Sequence, residues 1–495
     1  MSNYLQTVKE LTACIAARTP LVVVMTDERD RARAALKDAA NELNCELEFY
    51  TDTDGFTELR REERGADSRE PLVYIEERLK KKSGQCFALG DVRYLDADNS
   101  FSRKAAGLVR LASVKKSTII VVTADPVWQG LGRLGMFIKL DLPTQKEREK
   151  QISEFIALHK IKTLEKDKIP QTATVLSGYT ALQLNIVMNY AYKLAGGFTY
   201  ENLCEVAMQK DKLFGKNAAV TRVKVGSVHV AGLDGVKTWL AKKEKIFFAP
   251  KDALDKKYIS PPRGVLLVGV PGCGKSLSAK LIADKWRLPL YRFDMGSLFD
   301  KYVGESEKNL RLSLDYIGSV SPCVVWIDEI EKELYTGGEN DTAKRILGGF
   351  LYWLQENSDR VFLVATANDI TKLPPELFRK GRFSETFFVD LPDNEERASA
   401  ISLYANLCLS FKLEKGEIEK LSALSEGFSY ADIESAVKGV AEEEYVSGKQ
   451  GNFEELKSAF ENTVSILSTN KALIDALRLW GNESAVPASG NGGKK

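Results

Sequence analysis

Histidine and paired cysteine are what this chain of 495 residues most lacks. The only histidines are His159 and His229. The seven cysteines (Cys14, Cys45, Cys86, Cys204, Cys273, Cys323 and Cys408) nowhere form a Cys-x-x-Cys pair. A zinc site needs such ligands at short spacing, and a disulfide framework needs partners, so neither is expected. Scattered thiols fit a reducing compartment, the cytoplasm or an equivalent stroma. Long apolar runs are missing as well: none approaches the roughly 20 residues that span a bilayer. The first residues carry no signal-peptide core, so no membrane partner is expected. An excess of either charge is also lacking. Seventy basic residues stand against sixty-nine acidic ones, a net charge of +1. That balance gives no global attraction for nucleic acid, although Arg222–Lys224 and Lys242–Lys257 are locally basic.

What is present is a chain long enough for three or four domains or subdomains, with 44% apolar and 28% charged residues, the balance of ordinary globular protein. One stretch stands out. Gly269-Val-Pro271-Gly272-Cys273-Gly274-Lys275-Ser276 follows the apolar run Gly264–Val268 and opens into Leu277–Ala283, which has helical periodicity. Glycines let backbone N–H groups curl around phosphate oxygens, and the following helix adds its positive end. In such a loop Lys275 reaches the β- and γ-phosphates and the Ser276 hydroxyl ligates Mg²⁺.

From about 230 to 395, short apolar runs alternate with helical patterns: Gly264–Val270, Leu288–Phe293, Cys323–Ile327, Val361–Ala365 and Glu385–Val389. Fully apolar strands between helices predict a parallel sheet covered on both faces. After Pro392 only helical segments follow. The first 220 residues repeat this faintly, with strands predicted at Leu21–Met25, Cys45–Tyr50, Cys86–Gly90 and Thr118–Thr123, then helices from Lys146 to Phe214. Their first strand runs into Thr-Asp-Glu-Arg-Asp, an acidic loop that repels phosphate, so this half is expected to bind no nucleotide. The predicted fold is α/β: a phosphate-loop parallel sheet with a C-terminal helical lid, preceded by a second, nucleotide-free α/β domain. Its expected divisions are 1–143 (α/β), 144–215 (helical), 216–230 (linker), 231–393 (α/β core), 394–480 (lid) and 481–495 (disordered tail).

Cys323-Val-Val-Trp-Ile327-Asp328-Glu329 reads as a buried strand ending in two carboxylates. Adjacent residues at a strand end point to different places, so Asp328 can serve Mg²⁺ while Glu329 polarises the attacking water. Val361–Asn368 ends the next strand in an amide that can sense the γ-phosphate or the water, if this strand lies between the other two; a turn-forming Asn before Asp369 is the plainer reading. Arg379 and Arg382 follow in Arg379-Lys-Gly-Arg382-Phe383. By spacing alone a solvated surface pair is the favoured reading, with a phosphate-neutralising one as the alternative.

In this order, these motifs resemble the AAA family of ring-forming ATPases over roughly residues 228 to 480. The resemblance implies ATP and Mg²⁺ as cofactors, Ser276 and Asp328 as metal contacts, Glu329 as catalytic base and Asn368 as phosphate sensor. It makes Arg379 and Arg382 fingers that reach a neighbouring copy's nucleotide, hence a homo-oligomer, a hexamer. Ala231 and Gly232 are similar to the family's adenine-side turn. Gly427-Phe-Ser-Tyr-Ala431-Asp432 is similar to its lid motif, with Tyr430 where the family has a small residue. Lys301-Tyr302-Val303-Gly304 resembles its first pore loop, implying a protein client gripped by an exposed aromatic. Over its whole length the chain resembles AAA-type ATPases of cyanobacteria and algal plastid genomes, which places it in the cytoplasm or in a plastid stroma. Three functions stay open: a protein-remodelling motor, an ATP-operated switch or scaffold that threads nothing, and a nucleic-acid remodeller, which the neutral charge disfavours.

Overall fold

A computed structural model of the chain describes residues 3–489 except 62, 65–69, 91, 93, 195–197, 215–218, 227–230, 299–304, 335–340 and 380. They form two compact units, divided after Ala207. The first holds β1 (Leu21–Met25), β2 (Leu47–Thr51), β3 (Gly55–Glu58), β4 (Glu63–Arg64), β5 (Cys86–Leu89), β6 (Thr118–Thr123) and β7 (Met136–Lys139), ordered β4-β3-β2-β5-β6-β1-β7. From β2 to β7 the strands are parallel, and β3 and β4 add an antiparallel edge. Leu21, Val22, Val23 and Val24 are fully buried. β-Branched residues suit a strand covered on both faces, where the pleat accepts their stiff side chains.

The second unit holds β8 (Val220–Val223), β9 (Gly264–Gly269), β10 (Leu290–Phe293), β11 (Cys323–Ile327), β12 (Val361–Ala367), β13 (Glu385–Val389) and β14 (Val486–Pro487), ordered β14-β13-β9-β12-β11-β10-β8. Every pairing is parallel except β8 with β10. The parallel core β10-β11-β12-β9-β13 repeats the strand order of β2-β5-β6-β1-β7. Each first strand is inserted between the fourth and the fifth.

The resemblance continues into the helices. Helix Gln145–His159 starts after Asp141-Leu142-Pro143, and helix Asn394–Cys408 after Asp390-Leu391-Pro392. Both begin with a capping box, Thr144 with Glu147 and Asp393 with Glu396, satisfying orphan N–H groups at the helix start. A buried arginine follows in each. Arg148 donates to the carbonyls of Pro143 and Ala173, and Arg397 to those of Pro392 and Ser422. In the second unit the lid shares a core with one sheet face, joining Ile401, Leu421 and Ile433 to Val265 and Phe362.

Two expectations are corrected here. The segment 216–230 is no mere linker, because Val220–Val223 pairs with β10 and closes one edge of the second sheet. The tail is ordered to residue 489: Val486–Pro487 pairs with β13, and Ala488 is buried, its N–H donating to the Phe388 carbonyl. Small polar composition suggested disorder, but a two-residue edge strand needs little apolar sequence of its own. Proline suits it, since an edge strand leaves one side of its backbone unpaired.

Candidate active site

The phosphate-loop candidate lies at the carboxyl end of β9. Gly269 closes against β13 so tightly that a Cβ there would fall on the Val389 carbonyl oxygen. Gly274 has φ +84°, a left-handed conformation that glycine adopts without strain, and caps helix Lys275–Trp286. The helix N-terminus therefore opens directly onto the loop, the geometry that binds anions elsewhere. Lys275 is only 5% exposed, and its ammonium donates to the carbonyls of Gly269 (2.8 Å) and Val270 (2.7 Å). Burial pulls its pKa from 10.5 down to about 8, against the opposing influence of Cys273, Glu331, Asp328 and Glu329. Cys273 is buried in the apolar core, and burial pushes its thiol up to about 12. Its part in the loop is therefore a backbone one. Pro271 and Leu277 are half-buried on either side of it.

Strand order brings the acids to this loop. β12 lies between β9 and β11, so the ends of all three strands meet at one edge. Ser276 Oγ donates to Asp328 Oδ1 at 2.7 Å, and Thr366 Oγ1 donates to the same oxygen at 2.7 Å. Thr366 in turn accepts from the Glu329 N–H at 3.0 Å. Glu329 has φ +48°, a strained conformation for a residue with a Cβ. This turn separates the two carboxylates. Glu329 Oε1 accepts from Asn368 Nδ2 at 2.9 Å, and its other oxygen pairs with Lys332 at 2.6 Å. The Asn368 N–H donates to Glu331 Oε1 at 2.9 Å.

Thr366 and Glu331 are site residues that sequence reading missed. Thr366 stands on β12 two residues before Asn368, which follows the strand's end. Glu331 is 2% exposed, burial raises its pKa, and its Oε2 has no hydrogen-bond partner among the described residues.

The donor set suits Mg²⁺. A serine hydroxyl and a carboxylate already 2.7 Å apart are hard oxygen ligands. Mg²⁺ is ordinarily held by one or two carboxylates plus phosphate oxygens rather than by an all-protein cage.

The lid reaches the same loop. Helix Tyr430–Ser447 starts at N-cap Ser429, and the Ala431 N–H donates to the Gly272 carbonyl at 3.2 Å. Gly232 lies against the Tyr430 hydroxyl, and the next residue, Leu233, donates its N–H to Glu396 Oε1 at 3.3 Å. Ala231 is half-buried and packs on the lid-side core.

Arg379 and Arg382 do not join this cluster. They precede β13, whose first residue, Glu385, pairs with Val265 near the amino end of β9. At about 3.3 Å per residue, the β9 span from there to Gly269 places them some 13 Å or more from the phosphate loop. Arg379 is exposed, whereas Arg382 donates to the Leu351 carbonyl. Arg263 ties the loop between them through the Gly381 carbonyl at 2.7 Å. Lys301, Tyr302 and Val303 lie outside the described residues.

In the first unit the corresponding turn is filled from within. Glu28, 3% exposed, follows β1, and its carboxylate accepts from the Ala181 N–H at 2.9 Å. Ala181 opens helix Ala181–Lys193, the counterpart of the lid helix at Tyr430.

Residues 265–391 match the model of the ATPase family associated with various cellular activities (AAA). Residues 7–140 match the N-terminal domain of SpoVK-like AAA ATPases. The AAA domain-containing protein ycf46 of Pyropia yezoensis is 31% identical over 484 residues, covering 96% of this chain and 97% of that protein. The chain belongs to the AAA family of ATPases. The ycf46 protein of Trieres chinensis is 28% identical over 486 residues, at 96% and 97% coverage. The peroxisomal ATPase pex1 of Schizosaccharomyces pombe is 33% identical over 179 residues, 35% of this chain and 19% of that protein. As an AAA ATPase the chain is a nucleotide-binding hydrolase with a phosphate-loop fold and a second, N-terminal α/β domain. No helix among its described residues is long and apolar enough to cross a membrane.

Proposed function

We propose that the second unit hydrolyses ATP at a site completed by a second copy of the chain, in a ring of six, and that the ring remodels a protein client. The observation that carries this reading is a division of labour across the sheet. Ser276, Asp328, Glu329 and Asn368 converge at its carboxyl edge, while Arg379 stands exposed at the other. A residue that far from its own phosphate loop serves phosphoryl chemistry only in trans.

Lys275 and the loop amides hold the β- and γ-phosphates. Ser276 and Asp328 hold Mg²⁺, which when bound draws charge from those phosphates. Thr366 keeps the Asp328 carboxylate turned toward Ser276. Glu329, steered by the Asn368 amide, accepts the proton of the attacking water. Arg379 neutralises the charge growing on the neighbour's γ-phosphate, and Arg382 holds its loop against helix Asp341–Glu356. The first unit takes no nucleotide, since the Glu28 carboxyl, bonded to the Ala181 N–H, occupies the turn where phosphate would sit. The client is gripped by the loop at Tyr302, and the ring works in the cytoplasm or a stroma, without membrane or nucleic-acid partners.

Mixing tests the trans arrangement. Arg379→Ala binds ATP but turns it over at least about a hundredfold more slowly. Adding Lys275→Ala chains, themselves inactive, restores turnover because each supplies what the other lacks. No rescue at any mixing ratio refutes the shared site. Tyr302→Ala spares basal turnover and abolishes unfolding of a client; unchanged client processing points instead to an ATP-operated scaffold.

A further inference from the structure

The base side of the nucleotide site holds a side chain that the proposed chemistry does not use. Tyr430 is the first residue of helix Tyr430–Ser447 in the lid, and it is 8% exposed. It lies between two backbone segments. At one end its hydroxyl sits where a Cβ on Gly232 would be, and Gly232 has φ +70°. At the other, its Cδ2 is 3.9 Å from the Cβ position of Gly274 in the phosphate loop. Glu396 Oε1 borders the same spot, 2.6 Å from the Gly232 Cβ position. Leu233 and Cys273 belong to the same apolar cluster as Tyr430.

A nucleotide bound with its phosphates on the loop and its base against Ala231 and Gly232 has to pass through this slot. The ring takes up the slot's width. Burial and the nearby Glu396 carboxylate push the phenol pKa up, so the hydroxyl stays protonated and uncharged at neutral pH. Among the described residues no hydrogen bond holds that hydroxyl. Among the described residues, packing against Gly232, Gly274 and the apolar cluster is what holds the ring. The backbone on either side of it is held more firmly: the Ala431 N–H bonds the Gly272 carbonyl, and Ser429 caps the helix. Those bonds tie the first turn of helix Tyr430–Ser447 to the phosphate loop, so a change in what the ring packs against is felt where the two meet. The helix at the matching position of the first unit begins with Ala181, which has no ring to move.

We infer that Tyr430 is a gate on the base side of the nucleotide site, turning out as the base enters and carrying nucleotide occupancy into the lid helix. This rests on the proposed nucleotide site. The apparent affinity of a gated site is reduced by the fraction of time the gate stands open. A gate open about a tenth of the time weakens binding about tenfold, and its removal returns that factor.

The test compares the full-length wild type with Tyr430→Ala. ATP affinity is measured by calorimetry, and association of a ribose-labelled fluorescent ATP by stopped flow. The alanine chain is expected to bind ATP about tenfold tighter and to associate faster. In the wild type, amide exchange in the first turn of helix Tyr430–Ser447 is expected to change on adding ATP, and in the alanine chain much less. Weaker binding by Tyr430→Ala at an unchanged association rate overturns the gate and makes the ring a wall on which the base rests. So does wild-type exchange in that turn that ignores ATP, a result independent of how the variant folds. Failure of both chains to bind ATP removes the nucleotide site itself, and the gate with it.

Discussion

Lys275 turns a structural detail into a pH dependence that can be measured. Its ammonium is buried beside the Gly269 and Val270 carbonyls, and its pKa falls to about 8. Triphosphate bound next to it favours the charged form, so the bound-state pKa lies higher. Between the two values, binding ATP takes up a proton at the lysine, so affinity falls as pH rises. For a pKa of about 8, the protonated fraction drops from roughly three-quarters at pH 7.5 to roughly 3% at pH 9.5, a loss of about 25-fold in affinity. Both conditions lie above the titration of nucleotide phosphates, so the ligand's own charge stays constant. Calorimetric titration with ATP and Mg²⁺ at the two pH values reads the ratio, and Lys275→Met should bind weakly with no such slope. An equal Kd at both conditions in the wild type would refute the assignment of Lys275 as a buried cation awaiting phosphate. Folding responds with the opposite sign. The unfolded lysine keeps its proton up to about 10.5, so between pH 8 and 10.5 the unfolded chain binds more protons. Stability without nucleotide rises across that window, by about 3 kcal/mol at most.

Glu329→Gln should keep ATP affinity within about twofold and lower kcat by about 10²- to 10⁴-fold, read as phosphate release; undiminished release assigns the base elsewhere. Thr366→Val strips Asp328 of one donor and leaves the Glu329 N–H without an acceptor, at a cost of about 1–3 kcal/mol. It should raise the Mg²⁺ concentration for half-maximal turnover while Glu329→Gln leaves that concentration unchanged; equal effects would dissociate Thr366 from the metal carboxylate. Arg397→Met removes the bonds to the Pro392 and Ser422 carbonyls and should destabilise the lid by about 2–3 kcal/mol, seen as faster proteolysis within residues 394–480. Arg397→Lys should not rescue it, because an ammonium cannot reproduce the planar fork.

Local signals carried far in this chain. The phosphate loop, the acid pair and the five principal strands of the second unit were legible because glycine spacing and continuous apolar runs are properties of adjacent residues. The run of helices after Pro392 was legible for the same reason. The repeated Asp-Leu-Pro turn with its buried arginine was also written in the chain, in Asp141–Arg148 and Asp390–Arg397, yet its meaning emerged only with the carbonyls those arginines bind. Strands β8 and β14 were illegible, since an edge strand takes its order from its neighbour rather than from its own composition.

By itself, then, the sequence determined the local pieces of the candidate site: a strand, a glycine-rich turn and a pair of carboxylates, each specified by residues next to one another. Only the tertiary structure decided who works together. Inserting β12 between β9 and β11 brings Thr366 and Asn368 to the acids, while the register of β13 leaves Arg379 at the far edge. Strand order and register are long-range pairings, and no window of neighbouring residues contains them.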